Sequence, residues 1–223
     1  MKKYLVLVLL AVSFNVNASP ITVIATADTT LTRNIYIPSP AGESTTLYSV
    51  GFASFESYPL IEFDLSSFAN TVVQGNGVLS LTFQGFFENP NQDITVSTVK
   101  NNWNELTATY SNFDPMSNTG VLQSTLLVDA SGLTQGVDKI NFMIPTATIQ
   151  DWISSPATNY GLLLVPTNGR DIYFYSRESA FAPTLSFDVA DISAVPVPAA
   201  LPLMASALGI FGIARRRNKS KVD

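Results

Sequence analysis

The chain has 223 residues with no histidine and no cysteine, which removes imidazole bases, Ser-His-Asp and Cys-His nucleophile systems, histidine zinc sites and disulfide staples together. Its formal charge of −5 conceals a partition: 16 acidic and 5 basic residues stand between Ser19 and Pro198, a net −11, while the other seven basic residues flank the two ends. A body of that sign repels nucleic acid and anionic lipid, and the missing histidine leaves only carboxylate, Ser-Lys or Tyr-Arg chemistry for catalysis.

The first 18 residues, MKKYLVLVLLAVSFNVNA, pair two lysines with an apolar run from Tyr4 to Phe14 and a small-x-small ending at Val16-Asn17-Ala18. This is the pattern of a secretory signal helix cleaved between Ala18 and Ser19, so the mature chain crosses a membrane. Residues 19–190 then supply 172 residues, a length that buries roughly 70% of its unfolded surface and sustains one core without covalent help.

Ten segments of that body alternate with period two or form brief apolar runs, bounded by Gly, Pro, Asn and Ser: ITVIATADTTLT, TLYSVGFA, PLIEFDL, GVLSLTFQGFF, DITVSTV, STLLVDA, DKINFMI, YGLLLVP, DIYFYSRE and PTLSFDV. Ten such strands predict an all-β, antiparallel sandwich. In PLIEFDL, Leu60, Glu62 and Asp64 fall on one face and Ile61, Phe63 and Leu65 on the other, the pattern of a half-buried strand. One stretch departs: Ile149, Trp152 and Ile153 share a helical face and Pro156 follows, which predicts a short helix over Ala147–Ser154. Alternation stops at residues 191–198, an extended linker.

The end of the chain reads as a short membrane helix with a basic stop. Ala199 to Ala214 is apolar apart from Ser206, and Arg215, Arg216, Arg217, Lys219 and Lys221 follow. Sixteen helical residues reach about 24 Å against a hydrocarbon core of roughly 30 Å. Extending the segment back to Val195 makes up the length, but Pro196 and Pro198, like Pro202 within it, lack the N–H a helix interior needs. Val195-Pro196-Val197-Pro198-Ala199, the short apolar segment and the arginine cluster together resemble a PEP-CTERM sorting signal of the VPLPA type, with Val197 in place of leucine. The resemblance spans residues 195–223. It implies transient insertion in the inner membrane, removal by an exosortase, and export in a Gram-negative bacterium that makes exopolysaccharide.

The body resembles the DNRLRE-type domain, a jelly-roll module grouped with carbohydrate-binding modules. The matching blocks are ADTTLTRN, LIEFDLSSF at Leu60 to Phe68, WNELTATYSN at Trp103 to Asn112, IQDWISSPATNYGLLL at Ile149 to Leu164 and YSRESAFAPTLSF at Tyr175 to Phe187. Tyr110 stands where that family usually has a second tryptophan. The resemblance implies a jelly-roll sandwich, a non-catalytic role and an extracellular polysaccharide as partner; some relatives bind acidic polysaccharides such as alginate.

Aromatic faces stack on sugar rings, so the aromatic residues are the candidates for that role. Trp152 and Tyr160 read as core by their positions. Trp103 sits among Asn101, Asn102, Asn104 and Glu105, polar company that predicts an exposed rim. In DIYFYSRE, alternation sends Ile172 and Phe174 one way and Tyr173, Tyr175 and Arg177 the other, a candidate glycan platform. Arg177 is open to two readings, a bidentate partner for a sugar carboxylate or an ion pair with Glu178, Asp28 or Glu62. Calcium is the natural cation for so acidic an extracellular body, although no D-x-D-x-D-G loop occurs. Carboxylate pairs such as Glu62 and Asp64 have the numbers for glycoside hydrolysis but no motif, so the chain reads as a non-enzyme. A structural or adhesive matrix protein, acting by self-association or protein binding, is the alternative to glycan binding.

Overall fold

The computed structural model describes residues 19–191 apart from 35, 38, 53, 88, 89 and 169. The signal segment with its cleavage step after Ala18, the linker beyond Asp191, the sorting motif Val195 to Ala199, the membrane helix and Arg215, Arg216 and Arg217 lie outside the described residues. Among those described, no helix is long and apolar enough to cross a membrane.

Eleven strands are described. They are β1 (Ser19–Ile24), β2 (Ala27–Thr32), β3 (Thr46–Val50), β4 (Ser57–Glu62), β5 (Thr71–Gly85) and β6 (Asn91–Val99), then β7 (Thr119–Asp129), β8 (Lys139–Ile144), β9 (Leu162–Pro166), β10 (Asp171–Tyr175) and β11 (Thr184–Asp191). Hydrogen bonding runs β1-β11-β5-β10-β3-β4-β9-β6-β7, with β2 added on β4 and β8 on β5. All the registered pairs are antiparallel. The long β5 serves two layers: Gly77 to Thr82 pair with β8, whereas Phe83 and Gly85 pair with β10. The result is an all-β sandwich, compact over Ala18–Ala190.

The main core lies between the layers. Phe63, Leu79, Leu81, Phe142, Phe174 and Leu164 all point into it and are buried. Helix α2 (Thr146–Ser154) closes part of it with Ile149, Trp152 and Ile153, the three residues whose spacing predicts the helix. The Thr146 hydroxyl donates to the Gly75 carbonyl, tying the helix start to β5. Pro156 opens a 3-10 turn instead of continuing the helix. Gly161 then bends the chain into β9 with φ +79°, where a side chain would also collide with the Ile61 carbonyl.

Three sequence expectations are corrected. ITVIATADTTLT is two strands: β1 pairs with β11 and β2 with β4, the break falling at Ala25, whose N–H donates to the Pro183 carbonyl. A short helix, α1 (Pro115–Asn118), begins where Asp114 caps Met116. And β4 is buried on both faces rather than one. Leu60 belongs to a second cluster with Leu31, Tyr58, Trp103, Phe113 and Leu163, on the side of the sheet away from Ile61 and Phe63. The covering segment comes from residues 99–113, some forty residues downstream of β4.

Candidate functional site

The alternation in β10 behaves as its sequence predicts, with Ile172 and Phe174 fully buried in the core. Its other face starts the candidate site. Tyr173 pairs with Tyr48 of β3, and the two rings meet edge to face at 5.3 Å. Asp171 pairs with Val50. These four residues floor a cleft of about 530 Å³. Its walls come from three loops: Asn34, Tyr36 and Ile37 on one, Phe52 and Phe55 on another, Phe87 on the third. Tyr36 is 81% exposed and Phe87 78%, and Tyr36 stacks on Phe55 at 6.3 Å and 27°.

Backbone chemistry holds those loops. The Asn34 side chain accepts from the Tyr36 N–H, and the Asn34 N–H donates to the Thr32 hydroxyl, an Asx-type turn that projects Tyr36 outward. Gly51 donates to the Arg170 carbonyl, and a Cβ at Gly51 would collide with the Asn168 carbonyl, so the two loops touch backbone to backbone. Beneath the floor, buried Gln92 accepts from the Ser49 hydroxyl and donates to the carbonyls of Ser49 and Arg170. This satisfied polar clamp fixes β3 against the start of β10.

Asp171 is the polar centre of the cleft. It is 2% exposed. One oxygen, Oδ2, accepts from the Tyr173 hydroxyl at 2.6 Å and from the Phe87 N–H at 2.9 Å. Burial first, then the bond to Asp171 and its charge, push the Tyr173 hydroxyl well above the usual tyrosine range, so it stays a donor at every working pH. The other oxygen, Oδ1, is buried with no hydrogen-bond partner. A buried carboxylate oxygen left bare costs free energy. Aromatic walls beside polar groups such as Asn34 and Tyr48 can take a ring with apolar faces and hydroxyl edges.

The sequence candidates are dispersed by the structure. Tyr173 lines the cleft. Tyr175 packs its ring against Phe181 at 4.8 Å and accepts from Gln135. Arg177 lies beyond the end of β10 and binds Glu105 through both Nε and NH2 at 2.7 Å, with Glu178 at 3.1 Å, so of its two readings the ion pair is the one present. Trp103 corrects the expectation of an exposed rim: it is 9% exposed, and its indole N–H donates to the Tyr160 carbonyl within the second cluster. Its polar neighbours face water while it plugs the sheet.

The acidic residues around Arg177 form the one described group that could hold a metal ion. Asp28, Glu105 and Glu178 bring carboxylate oxygens within 4.8 Å of one another. Asp28 Oδ2 accepts from the Arg177 N–H at 2.7 Å. Its carboxyl is pushed up to about 8, chiefly by burial and further by Glu178 and Glu105, against the Arg177 N–H. A hard cation such as calcium suits these oxygens, but the Arg177 guanidinium already supplies positive charge to two of the three.

What the sequence reading missed is the set Tyr36, Tyr48, Phe55, Phe87 and Asp171. A signal existed in RNIYIPSP, GFASFE and FFENPN, where aromatic residues sit among turn-forming Asn, Pro, Gly and Ser. A family model described as carbohydrate-binding module family 96 matches residues 19–188. No curated protein matches the chain.

Proposed function

The chain belongs to carbohydrate-binding module family 96, and from that membership we propose that it is an exported, non-catalytic polysaccharide-binding protein whose glycan lies in the aromatic cleft over Asp171. The observation that carries the reading is the exposed, stacked pair Tyr36 and Phe55 over a floor that holds Tyr48 and Tyr173 in the same cleft. Stacking takes the C–H faces of a pyranose, and the polar groups of the lining, such as Asn34 and Tyr48, meet its hydroxyls. The jelly-roll winding implied by the DNRLRE-like blocks belongs to the same proposal.

Tyr36→Ala should weaken glycan binding about 5- to 10-fold, since one stacked ring contributes on the order of 1 kcal/mol. Stability should change little, because the ring is exposed. Isothermal titration of wild type and variant with the same oligosaccharide checks this, and equal affinities would remove the cleft from the account.

The export route is part of the proposal. The signal segment, the Val195 to Ala199 motif and the arginine cluster support insertion in the inner membrane, release by an exosortase, and a place in the exopolysaccharide matrix at the cell surface or beyond it. Intact mass of the extracellular protein should then lack everything from about Ala199 onward. Secreted protein that still carries Arg215 to Asp223 would rule the sorting step out.

A second reading has its own observation. Strand β7 ends the hydrogen-bonded order and exposes Val121, Leu122 and Leu127. Apolar edge strands of this kind pair with other chains. Self-association as an adhesive matrix protein takes the lead if no glycan binds the cleft.

A further inference from the structure

Resting on the cleft as the glycan site, we infer that Asn34 is its specificity-determining donor: the side-chain oxygen shapes the wall, and the side-chain N–H₂ donates to an oxygen acceptor of the sugar stacked on Tyr36. Asn34 lines the cleft and is half-buried. Its Oδ1 accepts from the Tyr36 N–H at 2.9 Å. A backbone N–H can face only an oxygen, so this bond fixes which end of the amide turns to the backbone. Nδ2 is the other end. It has no hydrogen-bond partner among the described residues and, unlike Asp171 Oδ1, it is not buried.

The rest of the lining makes that nitrogen distinctive. Asp171 Oδ1 lies beneath the surface, and Oδ2 is filled by Tyr173 and Phe87. The Tyr173 hydroxyl has its proton committed to Asp171. The hydroxyls of Tyr36 and Tyr48 can each turn to donate or accept, so they adapt to whatever edge a sugar presents. Asn34 Nδ2 is the one side-chain group of the described lining that only donates. Its place is fixed as well. The Asn34 N–H donates to the Thr32 hydroxyl at 2.8 Å, and that hydroxyl bonds Ser57 across the β2–β4 pair at 2.8 Å. A donor held in advance, beside the ring that stacks, favours a sugar with an oxygen acceptor at that edge and penalises one without it.

The test is a titration of the full chain with length-matched oligomers of glucose, mannose, galactose, N-acetylglucosamine, mannuronate, guluronate and galacturonate, repeated on variants with whichever binds wild type best. Asn34→Asp keeps an oxygen for the Tyr36 N–H and replaces the donor with an acceptor. Asn34→Ser keeps a hydroxyl that can bond the backbone two residues on, without charge and without the N–H₂. Both should bind about tenfold more weakly at an unchanged denaturant midpoint, and Tyr48→Phe only about two- to threefold. In NMR spectra of the wild type, the Asn34 side-chain N–H₂ signals should move with the same affinity as the Tyr36 ring.

The outcomes separate the donor from the cleft. Asn34 N–H₂ signals that stay in place while the Tyr36 ring moves overturn the donor role and leave the cleft standing. Asn34→Asp and Asn34→Ser that bind as wild type does have the same consequence. Binding that Tyr36→Ala does not touch, or no binding by any oligomer, removes the cleft and the role of Asn34 with it. Should either Asn34 variant displace Tyr36 or fail to fold, the wild-type N–H₂ signals still decide.

Discussion

Phe174→Ala should cost the fold about 3–5 kcal/mol, while Tyr175→Ala, one residue along the same strand, should cost about 1–2 kcal/mol. Phe174 is fully buried in the main core, in the cluster that also holds Phe63 and Phe142. Removing the ring forfeits both its transfer free energy and the contacts around the void. Tyr175 faces the other way, half-buried, with a packing contact to Phe181 and one hydrogen bond from Gln135. A domain of this kind holds only about 5–15 kcal/mol in total, so the first variant should show a much lower denaturant midpoint and the second a small shift. Equal midpoints would mean that the two faces of β10 are assigned the wrong way round.

The second large effect is a pH dependence centred on Asp28. Its carboxyl is 1% exposed and pushed up to about 8 in the folded protein, from 3.8 without the fold. A carboxyl raised by folding favours the folded state while both states are protonated. That contribution is complete below about pH 3.8 and is lost as pH rises toward about 8. At roughly 1.4 kcal/mol per pH unit, the loss over the window is on the order of 3–6 kcal/mol. Glu62 is raised as well, by burial and then by Asp64 and Glu105, and acts in the same direction. Asp64, Asp114 and Asp129 are lowered by hydrogen bonds from Ser66, Ser117 and Ser131, and they act oppositely, withdrawing stability only as pH falls through the acid range.

The stability maximum should therefore lie in mildly acid solution. Asp28→Asn keeps an oxygen for the Arg177 N–H and removes the titration. It should be more stable than wild type at about pH 8 and nearly equal at about pH 4. Denaturant unfolding of the two proteins across that range checks the sign. Parallel curves would show that Asp28 carries its charge at no cost, as a bound cation would allow.

The layers were legible because their signals are local. Alternation in DIYFYSRE assigns Ile172 and Phe174 inward, and the spacing of Ile149, Trp152 and Ile153 marks one side of a helix. Leu60 and Trp103 were not, for a shared physical reason. Each is covered by chain distant in sequence: Leu60 by the segment around Trp103, and Trp103 by the sheet itself, bonded to the Tyr160 carbonyl. Neighbouring asparagines report the outside of that covering segment and nothing of its inside.

The cleft was illegible for a related reason. Tyr36, Phe55, Phe87 and Asp171 lie on separate stretches of the chain, and only the pairing of β3 with β10 sets their loops around one floor. Asp171, an acid opening a strand, reads as solvated. It is buried, and Phe87 donates its backbone N–H to it from across the cleft. Arg177 shows the converse, a residue whose alternation suggested a ligand face and whose ion pairs keep it elsewhere.

The most direct measurement is a glycan titration followed by the aromatic ring signals of the protein in NMR, with each ring assigned. On this account the resonances of Tyr36, Phe55, Phe87 and Tyr173 move with a common affinity, while those of Trp103, Trp152 and Tyr175 stay in place. Shifts centred on Tyr175 and Phe181, or along β7, with the cleft rings unmoved, would contradict it.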